Sequence, residues 1–148
     1  MSLEPHKRSP FKFDNFFIVE SSIKRKPIVE KKEEVEIQIG FEGVMHESNK
    51  KFELILSVKV FEKNGRFEAN VKAIGIFSFQ EVTKKEDISD YFYVNAPAII
   101  FPYIRSYISA LTSLSGLETI NLPIIVMGEF KKQLEDNTTI DPSDELVN

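Results

Sequence analysis

Apolar and polar residues alternate along much of the first half of the chain. The clearest run is residues 34–41, where Val35, Ile37, Ile39 and Phe41 fall on one side and Glu36 and Gln38 on the other. A period of two is what a strand with one dry face requires. The pattern returns at Phe52, Leu54, Leu56, Val58 and Val60, and again, after Asn64-Gly65, at Phe67, Ala69, Val71 and Ala73. Asn-Gly tolerates the positive φ angles of a tight hairpin, so these two segments are expected to pair antiparallel. Residues 11–19 (FKFDNFFIV) predict a first strand and residues 21–27 a polar connection after it. Residues 73–79 (AIGIFSF) are apolar on both faces around Gly75, and glycine inside a strand predicts a bulge or the close approach of another backbone.

Beyond a charged linker at residues 84–90 the period changes. Pro97 fits the first turn of a helix, where its missing N–H is not needed, with Asn95 near enough to cap. Ile100, Ile104, Tyr107, Ile108, Leu111 and Leu114 then form one stripe, and Ser115-Gly116 ends the helix. A second face, with Ile99, Tyr103 and Ala110, is also largely apolar, and Arg105 is the sole charge between Tyr91 and Ser115. A helix on the surface of a monomer should show a charged side. The expectation is therefore a helix covered by its own sheet and by a partner subunit, with Ile100, Ile104, Tyr107, Ile108 and Leu111 at the oligomer interface.

The next segment carries Leu117, Ile120, Leu122, Ile124, Val126 and Met127, more aliphatics than a solvated connection needs, and Pro123 forbids a regular helix around it. Two readings stay open for it: packing against the sheet, or an apolar groove left partly open to a ligand. Around Phe130 and Leu134 a short amphipathic helix is expected, and residues 138–148 are expected to be an acidic, disordered tail on a single domain of residues 1–137.

Composition narrows the function classes. The net charge of -4 argues against a nucleic-acid partner, because phosphates are bound by clustered Lys and Arg. The charge is uneven: residues 1–30 carry six bases against four acids, whereas residues 135–148 carry five acids and no base. Zero cysteines remove disulfides, thiol catalysis and thiolate metal sites. The opening MSLEPHKRSPFKF is polar rather than a signal peptide, and the apolar run at residues 96–104 is too short and proline-broken to span a bilayer. A cytoplasmic protein without membrane insertion is expected.

Within residues 96–127, APAIIFPYIRSYISALTSLSGLETINLPIIVM, the chain resembles the SecB family. That family carries a run of the form P-x-x-(Leu/Ile)-FPY-x-R, a serine-containing amphipathic helix, a small-residue break and then L-N-L-x-P. The matching residues are Pro97, Ile100, Phe101, Pro102, Tyr103, Arg105, Ile108, Leu111, Gly116, Asn121 and Leu122, with Pro123 one position early. Gly75, Ile76, Phe77 and Ser78 match the Gly-Ile-Phe-Ser that ends the family's sheet. The resemblance implies an α+β subunit, a four-stranded antiparallel sheet followed by a long helix and a short C-terminal helix, paired into dimers and then tetramers. It implies a chaperone that binds non-native polypeptides and passes preproteins to the translocation ATPase SecA. Members of similar fold serve antitoxins in stress-linked toxin modules.

For delivery the chain departs from the family. Acids on the exposed sheet face attract SecA there; here Glu20 keeps the acid, Lys24 reverses it and Asn70 loses it. Client contacts, on this resemblance, fall to Leu117, Ile120, Leu122, Ile124 and Val126.

Enzyme chemistry finds little to work with. Histidine is present only as His6 and His46, neither with a ligand at metal spacing, so no metal and no cofactor is expected. Glu33-Glu34 and Glu86-Asp87 sit beside Lys pairs as solvated acids do, and general acid-base work needs a buried one. No glycine-rich phosphate loop occurs. Arg105, Phe101 and Tyr103 are read as structural rather than as ligand contacts. A subunit whose apolar surfaces serve only a permanent complex, and a small-molecule carrier, are the competing functions.

Overall fold

The alternation resolves into four long strands, β1 (Phe11–Arg25), β2 (Val35–His46), β3 (Lys51–Glu62) and β4 (Phe67–Phe79), in a computed structural model that describes residues 10–26 and 33–142. β3 and β4 pair antiparallel from Phe61↔Glu68 to Lys51↔Ser78, and Gly65 takes φ 74° in the turn between them, where a glycine avoids the steric penalty. β2 pairs with β3 and β1 with β4, so the four strands form an antiparallel sheet in the order β1-β4-β3-β2.

Three expectations need correction. The first strand does not stop at residue 19 but runs to Arg25. Register shifts at Phe13/Asn15 and Ile18/Glu20 break its alternation, so that Ser21 and Ile23 still face the core beside Val71 and Ala69. The long helix, α1, is Asp90–Leu114 rather than residues 97–115. Ser89 caps it by accepting from the Phe92 N–H, Asn95 bonds back to the Tyr91 carbonyl instead of capping, and Pro97 and Pro102 lie inside. The earlier start buries Phe92 and Tyr93, which are 1% and 2% exposed. Third, the expected tail begins with a fifth strand, β5 (Thr138–Ile140), parallel to β2 at Gly43–Met45, so the chain is part of the fold past residue 137. Residues 143–148 lie outside the described residues, as do His6 and residues 27–32.

α1 lies over the β1–β4 half of one sheet face. Phe92 is the hub: its ring centroid is 5.0 Å from Phe11, 4.8 Å from Phe52, 5.5 Å from Phe77 and 4.8 Å from Phe79. Edge-to-face geometry adds about 0.5–1.5 kcal/mol per pair to the burial itself. The anomaly at Gly75 is a close approach: a Cβ there would lie 2.8 Å from Ile100 Cγ2. Over β2, the cover is a single 3-10 turn (Met127–Phe130) leading into the short helix α2 (Lys131–Asp136), whose Leu134 is fully buried. The opposite sheet face carries Lys12, Phe17, Glu20, Lys24, Ile74, Ile76 and their cross-strand partners, with nothing packed on it among the described residues.

Phe92→Ala is expected to lower the unfolding free energy by about 3–5 kcal/mol. Leu114→Ala, at a side chain 87% exposed, should change it by no more than about 0.5 kcal/mol. Urea unfolding of both variants checks this.

Candidate functional site

Burial divides the helix differently from the sequence expectation. Ile100, Ile104 and Ile108 are 0%, 0% and 1% exposed, seated on their own sheet, and Tyr107 and Leu111 are half-buried against the same core. The stripe assigned to an oligomer interface is thus the intramolecular one. A period of 3.6 shows which residues share a face but not what covers them. The open face is the other one: Ala98, Pro102, Tyr103, Arg105, Ser106, Ala110, Ser113 and Leu114. Tyr103 is anchored at its base, stacked 5.0 Å from Phe16.

The segment after α1 doubles back along the helix. Gly116 permits the reversal with φ 81°. Thr112, buried, then acts as a hydroxyl bridge, donating to the Ile108 carbonyl at 2.9 Å and accepting from the Ile120 N–H at 3.0 Å, while Ser109 Oγ bonds Asn121 Oδ1 at 2.9 Å. These contacts sort the aliphatics. Leu122 is fully buried and is a core residue, so it is not available for client contact in this conformation. Leu117, Ile120 and Ile125 are half-buried against the core, whereas Ile124 and Val126 are 87% and 69% exposed. Beyond Pro123 the side chains alternate, Ile124 and Val126 outward and Ile125 inward. The side chain of Met127 lies outside the described residues.

The segment has two anchors on the sheet. Near its start, Leu117, Glu118, Thr119 and Ile120 close a cleft of about 160 Å³ with Val35, Glu62, Arg66 and Phe67. Beyond its end, Phe130 packs 5.1 Å from Phe41. Ile124 and Val126 therefore lie on a stretch that travels from the Val35 end of β2 toward Phe41. The first anchor is held by Glu62, buried, which accepts from Arg66 Nε at 2.8 Å, so its carboxylate is not left unpaired.

Beside that stretch runs a strand edge. The Phe41 N–H donates to Gln133 Oε1 at 2.9 Å, the Gly43 N–H to the Asn137 carbonyl at 3.2 Å, and the Asp141 N–H to the Met45 carbonyl at 3.0 Å. Odd-numbered residues of β2 thus turn their backbone groups away from β3, and by the same period so do Val35, Ile37 and Ile39. β5 reaches only Gly43–Met45, and no other described strand pairs with residues 35–40 on that side. Their apolar side chains, Val35, Ile37 and Ile39, are half-buried on the face of the sheet that α1 and α2 cover. Unpaired N–H and C=O groups next to exposed aliphatics can bind an extended chain by main-chain hydrogen bonds and apolar pockets together.

The uncovered sheet face holds Glu20, exposed, in a shallow hollow of about 670 Å³ with Ser22, Lys24, Gln38, Ser57, Lys59, Asn70 and Lys72. Glu20 lies across from Lys72 and Lys24 from Glu68. Lys59 bonds Glu68 at 2.9 Å, and that hydrogen bond holds the Glu68 carboxyl below the usual carboxylate range. Glu68 is thus paired with Lys59, and Glu20 shares the hollow with Lys24, Lys59 and Lys72.

His46 has no ligand at metal spacing in the sequence, but the fold brings two carboxylates to it. Its ring bridges two carboxylates, with Nε2 2.9 Å from Glu53 Oε1 and Nδ1 2.9 Å from Asp141 Oδ2. The carboxylates sit on opposite sides of the ring and do not converge as metal ligands would. Gln133 and the open β2 edge also escaped the sequence. The side of a strand left without a neighbour and a long-range amide bond leave no local signal.

Comparison with known proteins places these features. The family model SecB, Preprotein translocase subunit SecB, matches residues 11–136. The Protein-export protein SecB of Anaplasma phagocytophilum is 33% identical over 81 residues, 53% of this chain and 51% of that protein. That of Ehrlichia chaffeensis is 31% identical over 83 residues, 50% of this chain and 47% of that protein. The chain spans about half the length of these relatives. An uncharacterized protein of Methanocaldococcus jannaschii is 23% identical over 146 residues, 92% of this chain and 94% of that one. Among solved structures, the fold is shared with a Mycobacterium tuberculosis SecB-like chaperone in complex with a ChAD peptide from the HigA1 antitoxin, at TM-score 0.66 and 14% identity over 78% of this chain and 88% of that chain.

Ile124→Ser with Val126→Ser should leave the unfolding free energy within about 1 kcal/mol of the parent, because both side chains are already in water. Leu122→Ser should cost about 2–5 kcal/mol, for a cavity and a buried hydroxyl. Thermal and urea unfolding separate the two outcomes.

Proposed function

The chain belongs to the SecB family, and we propose that it is a chaperone that holds non-native polypeptides without nucleotide, metal or covalent chemistry. The observation that carries this reading is that exposed Ile124 and Val126 lie on the loop alongside the β2 edge at residues 35–40, which no described strand pairs on that side. A client segment in extended form adds to that edge through the outward groups of Val35, Ile37 and Ile39. Its apolar side chains rest on Ile124, Val126 and the half-buried Leu117 and Ile120. Leu122 supports this surface from beneath.

The magnitudes favour several weak anchors. Burying one client Leu or Phe contributes about 1.5–3 kcal/mol, whereas micromolar affinity needs about 8 kcal/mol net of ordering. Two or three apolar anchors with main-chain hydrogen bonds reach that range. Several such sites on one assembly raise the effective concentration for a long client. We place that assembly at the open face of α1, where Ala98, Pro102, Tyr103, Ala110 and Leu114 are exposed with Arg105 as the sole charge, in a cytoplasmic homo-oligomer built as a dimer of dimers.

Two kinds of client fit. In the first, preproteins are held for export and passed to SecA. In the second, the client is an antitoxin, and a specific observation favours it: the SecB-like chaperone of the same fold holds an antitoxin peptide. The outer face agrees with the second reading, since Glu20 stands among Lys24, Lys59 and Lys72 and offers SecA little acidic surface. We therefore expect SecA to bind weakly through this face, and a submicromolar, salt-sensitive complex would count against that.

The purified protein should suppress aggregation of an unrelated unfolded chain in the absence of ATP. Ile124→Ser with Val126→Ser should weaken client binding by about 3 kcal/mol, roughly a hundredfold, at about 1.5 kcal/mol per aliphatic. Unchanged client affinity in a folded double variant would overturn the assignment. Ala110→Glu should reduce the oligomer, because a charge buried at a contact is costly, while leaving each subunit folded. Sedimentation showing a wild-type monomer at micromolar concentration would refute the assembly.

A further inference from the structure

We propose that β5 and the Gln133 amide form an end-stop on the β2 edge, which limits the client strand to the six-residue stretch 35–40. This rests on the reading of that edge as the client site, and it assigns the site a length.

An open strand edge has no intrinsic end. Each further pair of residues offers another outward N–H and C=O, so an added strand can lengthen until the template strand stops. β2 runs on to His46, and its outward groups continue through Phe41, Gly43 and Met45. All three are already taken: the Phe41 N–H by Gln133 Oε1, the Gly43 N–H by the Asn137 carbonyl, and the Met45 carbonyl by the Asp141 N–H. A client strand advancing past Gly40 meets first a side-chain amide standing in for a strand, then a strand of the chain itself.

Side chains fasten this stop at both ends. Gly43 leaves the space that Thr138 fills; a Cβ on it would run into the Phe52 ring and lie 2.7 Å from Thr138 Oγ1. Thr138 is buried and donates its hydroxyl to the Leu134 carbonyl at 2.6 Å, which ties β5 to the core through α2. At the far end, His46 grips Asp141 with one nitrogen and Glu53 with the other, linking the segment after β5 to β2 and β3. Three residues of strand alone make a weak attachment; these anchors make it hold. The remaining edge spans roughly 20 Å at about 3.3 Å per residue. It suits a short extended peptide with alternate apolar side chains, which would share the face of Val35, Ile37 and Ile39.

The test uses two fluorescently labelled peptides with alternating Leu and Thr and a terminal Lys pair, one with six alternating residues and one with about twelve. Binding to the full chain is compared with binding to a variant that lacks residues 138–148 and carries Gln133→Ala. The full chain should bind both within about threefold, the allowance for extra registers of the longer peptide. The variant should bind the longer peptide about tenfold more tightly than the short one, because new backbone pairs form, with the short peptide unchanged. Asp141→Ala in the full-length chain frees the outer end of β5 alone and should move the length preference the same way by about threefold; it decides the matter if the truncated variant does not fold. A tenfold length preference in the parent, or none in the folded variants, overturns the end-stop. Ile37→Pro separates the two ideas, since it removes an outward N–H that β3 does not use. If it abolishes binding of both peptides while length has no effect in any variant, the edge is the site and the stop is wrong. If it abolishes neither, the edge reading itself fails.

Discussion

The seating of Phe92 among Phe11, Phe52, Phe77 and Phe79 is the interaction on which the other features of this subunit depend. It joins residues from β1, β3, β4 and α1, so it fixes where the helix begins, how close it comes and which half of the sheet it covers. Gly75 lets the helix down onto β4 at Ile100. With α1 committed to the β1–β4 half, the β2 half must be covered by whatever follows the helix. Gly116 and Pro123 interrupt those residues, so no second long helix forms directly after the first. The outcome is a thin cover of one loop, one 3-10 turn and one short helix, and a thin cover leaves an edge open.

That cover is held by polar contacts as much as by apolar ones. Thr112 satisfies both its own hydroxyl and the Ile120 N–H inside the interface, so the loop can run close to the helix without an orphaned backbone group. Leu122 then plugs the core, and beyond Pro123 Ile124 and Val126 remain outside while Ile125 turns back toward the core. The same short segment therefore does two jobs. Its first half supports the fold, and its second half, with Ile124 and Val126, is spare apolar surface that stability does not require.

The strands β2, β3 and β4 and the antiparallel pairing of β3 with β4 through the Asn64-Gly65 turn were legible in the sequence because strict alternation leaves few other options; the place of β2 beside β3 was not. β1 was only half legible: its two register shifts hide the period, and the polar residues 20–25 look like a loop until their partners Lys72, Asn70 and Glu68 are in place. The helix start was misplaced because local proline chemistry argued for Pro97, whereas the aromatic core decided for Ser89. The apolar stripe of α1 was found, but its assignment to a partner needed to know which face the sheet would take. Of the site, the aliphatic excess of the loop was visible and its sorting into buried Leu122 and exposed Ile124 and Val126 was not. β5, Gln133 and the bridging His46 were invisible, being long-range contacts between residues that carry no motif.

A sheet with open edges is a hazard as well as an opportunity, since unpaired strands template aggregation. The two edges of this sheet meet that hazard differently. β1, at one side, is interrupted by two register shifts and carries Lys12, Asp14, Glu20 and Lys24, so its edge is bent and charged. β2, at the other, is regular and keeps apolar residues at Val35, Ile37 and Ile39, the chemistry that recruits another chain. A regular apolar edge can be kept in a soluble protein if it is short, and here α2 and β5 close it from one end while β3 and the loop back it along its length. The features that leave residues 35–40 open, the proposed seat for one extended segment, are then the same ones that keep the edge from propagating. On the proposed reading, capture and restraint both follow from a single placement of Gln133 and Thr138.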